Sequence, residues 1–305
     1  MRYFAPLQKA FISCIAAILA VALFVPATFA QDQPQPQDQP QDQAPPPSFS
    51  PEQLDKIVSR IALYPDPLLA QVLSAATYPD QIADAARWSD EHHYLPGDQL
   101  SKAITDDQLP WDPSVLALLP FPSVLDQMAS DINWTNDLGN AVLAQRPDVM
   151  DAVQRMRQKA KDFGYLRTNG QIVVSGGPYI EIEPVDPAFI VVPTYDPFVV
   201  FVAPRPGFFV GGAIGFGFGV RIGTFYRPWG WGGSHIGWGE HAVFINNVRW
   251  NRTWVNRRAY VHPYPGVRRY ATPARVEHHE LIQRSTRERE ASRAGHPHEE
   301  EHHRH

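Results

Sequence analysis

The side chains best able to do chemistry in this 305-residue chain crowd toward its C-terminal end. From Glu277 onward come seven histidines: His278, His279, His296, His298, His302, His303 and His305. The last five fall inside HPHEEEHHRH. Neutral imidazoles at that density take up Zn²⁺, Ni²⁺ or Cu²⁺. A defined centre also needs fixed geometry and outer hydrogen-bond partners, which a tail of this composition lacks. His296, His298, His302, His303 and His305 are therefore candidates for loose metal uptake, either as a buffer or adventitiously. No cofactor is expected.

Ahead of the histidines, VRWNRTWVNRRAYVHPYPGVRRYATPAR interleaves Arg249, Arg252, Arg257, Arg258, Arg268, Arg269 and Arg275 with tryptophans and tyrosines. Guanidinium forks suit phosphate and carboxylate groups. In a cytosolic protein this pattern would point to nucleic acid. The N-terminus redirects it. Arg2 and Lys9 precede an apolar run from Ala10 to Val25, and ATFA ends on Ala30. That is a secretory signal with a cleavage position after Ala30. The expected location is outside the cytoplasm, in the periplasm or cell envelope, so no nucleic acid partner is expected. The polyanions left for Arg249, Arg252, Arg257, Arg258, Arg268 and Arg269 are peptidoglycan, lipopolysaccharide and lipid phosphate. Two other readings stay open: a solvated basic extension, or one folded back on the acidic front of the chain. Between Gln31 and Asn140 there are 17 acids against 4 bases.

Asp66 and Asp112 look like paired carboxylates, yet a repeat accounts for both. LYPDPLLAQVLSAATYPDQIADAARW (Leu63 to Trp88) aligns without gaps to LPWDPSVLALLPFPSVLDQMASDINW (Leu109 to Trp134). Asp-Pro opens a helix well, because the carboxylate caps backbone N–H groups while proline sits in the first turn. Each copy reads as a short helix, a proline-bearing turn and a second helix ending in tryptophan. Trp88 and Trp134 read as core plugs rather than sugar platforms. Glu91, His92 and His93 read as a polar helix end, with imidazoles near its negative terminus. Neither G-x-S-x-G nor a P-loop occurs. The cysteine Cys14 lies in the signal, so the mature chain would carry no disulfide.

The elements that must position these residues follow in order. Residues 1–30 are the signal, and 31–48 are a disordered Gln/Pro-rich linker. Residues 49–168 form a helical domain with the repeat. It starts where Ser50 and Gln53 make a capping box around Pro51, and it stops at Gly164. Residues 169–203 are short β-branched runs forming a small antiparallel sheet, with Ile180 to Val192 predicted as a hairpin turning at Val185 to Pro187. Residues 204–250 are Gly/Trp-rich, and 251–305 are a basic, then His/Glu-rich, disordered tail. Together these define an α+β fold.

The glycine stretch Gly207 to Gly233 carries two patterns. Gly207, Gly211, Gly215, Gly219 and Gly223 lie four apart, as in packed membrane helices. Ile214, Phe216, Phe218, Val220 and Ile222 lie two apart, as in a strand. A helix from Gly207 to Phe225 would hold seven glycines, each costing nearly 1 kcal/mol against alanine, so a β-ribbon pairing with His241 to Trp250 is expected, with the tryptophans in a loop between. Disorder and membrane contact stay open; no confident transmembrane helix follows the signal.

From Phe49 to Phe201 the sequence, with LDKIVSRIALYPDPLLAQVLSAATYPDQIADAARW and IEIEPVDPAFIVVPTYDP, resembles the bacterial domain-of-unknown-function family 3300. The resemblance implies an exported bacterial protein and supplies no catalytic residues. The reading is a non-enzymatic envelope interaction or structural protein. The alternatives are a glycan-directed hydrolase using acids near Trp88 or Trp134, and metal buffering by the tail.

Overall fold

The computed structural model describes residues 44–205, 207 and 211–264. The predicted signal, most of the predicted linker, Arg268, Arg269, Arg275 and the tail histidines lie outside the described residues. Proline at the start of a helix recurs through the first half. It opens α1 (Pro51–Val58), α3 (Pro79–Glu91), α5 (Pro113–Leu116) and α6 (Pro122–Ser130), and follows the first residue of α2 (Asp66–Ala75). Its missing N–H costs nothing there. The predicted capping box forms: Gln53 N–H donates to Ser50, and the Gln53 side chain accepts from Ser50 N–H. Between the repeat copies lies α4 (Gly97–Asp106).

The two copies fold as α2–α3 and α5–α6, the first helix of the second copy being cut to four residues. Trp134 does not end α6, as the repeat predicted. Asp131 breaks the chain at φ −132° and its carboxylate accepts from Trp134 N–H, so Trp134 opens α7 (Ile132–Asp162). That long helix kinks at Gln145, two residues before Pro147, whose ring cannot donate to the ladder. It ends at Gly164, which takes the left-handed conformation at φ 78°. Near its start α7 meets α2 backbone to backbone. A Cβ added to Gly139 would sit 2.0 Å from the Ala76 carbonyl oxygen.

The strands pair antiparallel throughout. β1 (Ile172–Ser175) pairs β2 (Glu181–Pro184). β3 (Phe189–Ile190) and β4 (Pro193–Tyr195) are followed by a short helix, α8 (Pro197–Val200). Their partners come from the glycine stretch: β5 (Ile214–Phe216) on β4 and β6 (Val220–Arg221) on β3. The meander β7 (His235–Gly237), β8 (Ala242–Ile245) and β9 (Val248–Arg249) closes the fold.

Two expectations are corrected here. Ile180 to Val192 is not a hairpin. Val185 N–H continues the β1 pairing to Gln171, and Asp186 then turns the chain by accepting from Ala188 N–H, so β3 leaves for β6. The glycine stretch is extended where its alternation predicted, but its partners are β3 and β4, not His241 to Trp250. That later segment instead folds on itself. Asn246 and Asn247 sit at φ 54° and 59°, which makes the tight turn between β8 and β9 that Asn favours. No helix among the described residues is long and apolar enough to cross a membrane.

Trp229, Trp231 and Trp238, expected in a loop, are core, buried with the helices together with Trp250. Trp231 donates to the Ala117 carbonyl at 2.8 Å, and buried Gln71 of α2 donates to the Trp229 carbonyl and to Ser234. The Gly/Trp segment is thus a wall of the helical core. A smaller cluster around Ile172, Ile182 and Leu166 lies beneath β1 and β2.

Candidate functional site

Three arrangements of polar side chains stand out. The first is buried. Arg157 of α7 is 0 % exposed and pairs at 2.7 Å with Asp66, itself 2 % exposed. The guanidinium also donates to the carbonyls of Ala62, Tyr64 and Ile180, and lies 4.7 Å from the centre of the Trp238 ring. Trp238 donates its indole N–H to the other Asp66 oxygen at 2.8 Å. Asp66 therefore does not cap its helix as predicted; it neutralises an interior cation. Asp112 does cap, accepting from Ser114 N–H at 2.9 Å. On β2, Glu183 is exposed; partial desolvation, then the Asp66 and Glu181 charges, push its carboxyl up to about 7. Sequence reasoning passed over Arg157. The available signal was an arginine on the apolar stripe Met150, Val153 and Ala160 of α7.

The second arrangement is the arginine arm, residues 249–264, which holds four arginines and no acid. Arg252 faces inward. It donates to the Thr77 carbonyl and hydroxyl at 2.6 and 2.7 Å, donates to the Arg257 carbonyl, and stacks 3.7 Å from the Tyr78 ring centre. Its donors are taken, so it anchors the arm and does not face a ligand. Arg257 lies over Trp254, 3.8 Å from the ring centre, and donates to the Trp254 carbonyl. Arg249 reaches Glu240 at 3.7 Å, its side chain about half exposed. Arg258 is exposed. From the helical side, Arg146 donates to the Trp250 and Arg252 carbonyls and covers the Trp250 ring. His262 is buried, bridging the Ile245 carbonyl and the Tyr260 hydroxyl, and desolvation lowers its pKa.

The third is an open groove of about 860 Å³ between α1, the start of α7 and the corner joining β4 to α8. Aromatic Phe49, Trp134, Tyr195, Phe198 and Phe201 line it. An acidic, aromatic cleft beside Trp134 is what a glycan hydrolase would need; of its four carboxylates three are engaged, and Asp137 has no partner among the described residues. Asp131 pairs with Arg60 at 2.8 Å, and the Trp134 N–H and Arg60 hold its pKa below the usual range. Asp55 lies between Arg155 and Lys159, and Asp196 caps α8. Trp134 is a plug, donating to the Ile57 carbonyl, with Arg60 covering its ring. Trp88 is half-buried; it bonds Asp107 and stacks on His92. His92 and His93 both meet carbonyls at the end of α3.

Among the described residues, no group of three or more His, Cys, Asp or Glu is placed to hold a metal ion. The tail candidates lie outside them. There HEEEH, from His298 to His302, meets the H-E-x-x-H spacing of zinc sites, a match the sequence reading above passed over. In a stretch built of histidine and glutamate, composition alone produces it.

Helices walled by a Gly/Trp segment, with a basic arm held against them, define an α+β fold. The chain belongs to the family described as protein of unknown function (DUF3300), whose model matches residues 50–278. It is similar to the uncharacterized protein YacH of Escherichia coli K12, at 36% identity over 187 residues. That alignment covers 50% of this chain and 30% of the relative, so the chain spans under a third of the curated relative it matches. No solved structure matches.

Proposed function

We propose that this is an exported, non-enzymatic protein of the cell envelope that engages a polyanion through its arginine arm. The supporting observation is that the arm is held rather than loose. Arg252 and Arg146 fix its backbone, while Arg258 stays exposed and Arg249 half exposed. A backbone already held in place needs less ordering on binding than a free chain does. Arg268 and Arg269 extend the same acid-free sequence.

The test is co-sedimentation of residues 31–305 with purified sacculi, and separately with outer-membrane vesicles, across a salt series. The comparison chain carries Arg249→Ser, Arg258→Ser, Arg268→Ser and Arg269→Ser. Point substitutions are needed because deleting the C-terminal third would remove core tryptophans. Binding that weakens with salt and drops at least tenfold in the substituted chain is expected. No pelleting with either material overturns the proposal.

A further inference from the structure

We propose that a separate, smaller pocket, between the loop after α7, β1 and β5, binds a small monocarboxylate whose apolar part is the size of a benzene ring. This goes beyond the arginine arm and does not depend on it.

The pocket has a volume of about 190 Å³. A protein cavity of about 150 Å³ takes up benzene, so this one suits a ligand of that size and not an oligomer. Its walls are apolar. Leu166 and Ile172 belong to the smaller core cluster, and Ile214 and Phe216 of β5 pack against that cluster. On the exposed side Gly212 presents bare backbone: a Cβ added there would touch nothing within 4 Å. The polar groups select the ligand. Among the described residues that line the pocket, Arg167 alone carries a charge. It is exposed, and it has neither an ion pair nor a hydrogen bond among the described residues. Its guanidinium is therefore both free and within reach of a ligand.

Asn169 adds a donor that is held in place. Its Oδ1 accepts from the N–H groups of Gln171 at 2.8 Å and Ile172 at 3.0 Å, and its own N–H donates to the Ile172 carbonyl. That turn occupies the amide oxygen and leaves the Nδ2 group, two donors without a partner among the described residues. Asn169 is exposed as well, so a ligand can reach it. The Tyr165 hydroxyl, able to donate or accept, is the remaining polar side-chain group of the lining. No carboxylate is among the described lining residues, so a cation gains nothing there. A neutral ring would leave the guanidinium unused. One guanidinium fork matches one carboxylate. A phosphate monoester would bring further negative charge, with no second cation in the lining to meet it.

The experiment is a ligand-observed NMR titration of the full chain with benzoate. The controls are benzamide, which has the shape without the charge, acetate, which has the charge without the ring, and phenyl phosphate. Saturable binding of benzoate is expected, at least tenfold tighter than any of the three. Arg167→Gln should bring benzoate down to the benzamide level and leave the melting temperature unchanged, since the side chain has no partner to lose. Asn169→Asp keeps the oxygen that holds the turn and replaces the donor with an anion, so it should also weaken benzoate at least tenfold. The Arg249→Ser, Arg258→Ser chain should bind benzoate unaltered, which separates this pocket from the arm. No saturable binding at millimolar benzoate overturns the assignment. So does equal or tighter binding of any control, or an affinity that Arg167→Gln leaves unchanged.

Discussion

The contacts of Arg157 land on separate stretches of chain: the turn after α1, the start of α2, and the residue before β2. Breaking a buried pair leaves a charge with no partner, at about 3–5 kcal/mol. Asp66→Asn is therefore expected to lower the unfolding free energy, measured by denaturant titration, by that amount. Asp112→Asn, which keeps a cap, should change it by less than about 1 kcal/mol. Arg252 and Arg258 make a second contrast. Arg252→Ala removes a clamp with four hydrogen bonds and should destabilise by more than about 2 kcal/mol. Arg258→Ala, exposed, should stay within about 0.5 kcal/mol.

Glu183 and His262 give opposite pH slopes. Glu183 titrates near 7 when folded and near 4.5 otherwise. Between those values the folded state binds more protons, so its contribution to stability rises as pH falls from 7 to 4.5. His262 is pushed below 6.5 by burial. Its contribution is complete above pH 6.5 and is lost as pH falls through 6.5 toward the folded value. Melting temperature from pH 4.5 to 8 should thus fall more steeply on the acid side in Glu183→Gln than in the wild type, and Glu183→Gln should be the more stable protein at pH 8.

Among elements, the contact of α2 with α7 is the tightest test of packing. Gly139 leaves no room for a methyl group against the Ala76 carbonyl. Gly139→Ala gains helix propensity of nearly 1 kcal/mol, but the clash must push the helices apart, and overpacking costs about 1–3 kcal/mol or more. A net loss of stability in thermal unfolding is expected. The α1 capping box, the proline helix starts and the stop at Gly164 were legible in the sequence because each is settled within a few residues. Strand partners were not legible. β3 meets β6 across some thirty residues, and nothing local at Ile190 distinguishes that partner from β2. The groove was half legible. Trp134 and its neighbouring acids drew attention, but Arg60 over the ring and Phe198 on the rim come from distant segments. The buried tryptophans were misplaced for a related reason: glycines around them mimic loop composition, while their burial depends on helices more than a hundred residues earlier.

At the scale of the molecule, the last described third of the chain completes the core of the first. Trp229, Trp231, Trp238 and Trp250 fill the space between helices formed from residues 51–162. Trp254 also donates to the Ala44 carbonyl at 2.9 Å, so the two ends of the described chain are stitched together. A chain stopped after Ala203 is expected to keep helical circular dichroism but lose its cooperative thermal transition and expose apolar surface to a dye such as ANS.

That dependence sets an order of events. A nascent chain cannot close its core until about 250 residues have emerged, because the tryptophans that seal it arrive late. Contacts so distant in sequence also slow the search once all residues are present. Under the export proposed above, late sealing would keep the chain soft during passage and let it harden only afterward.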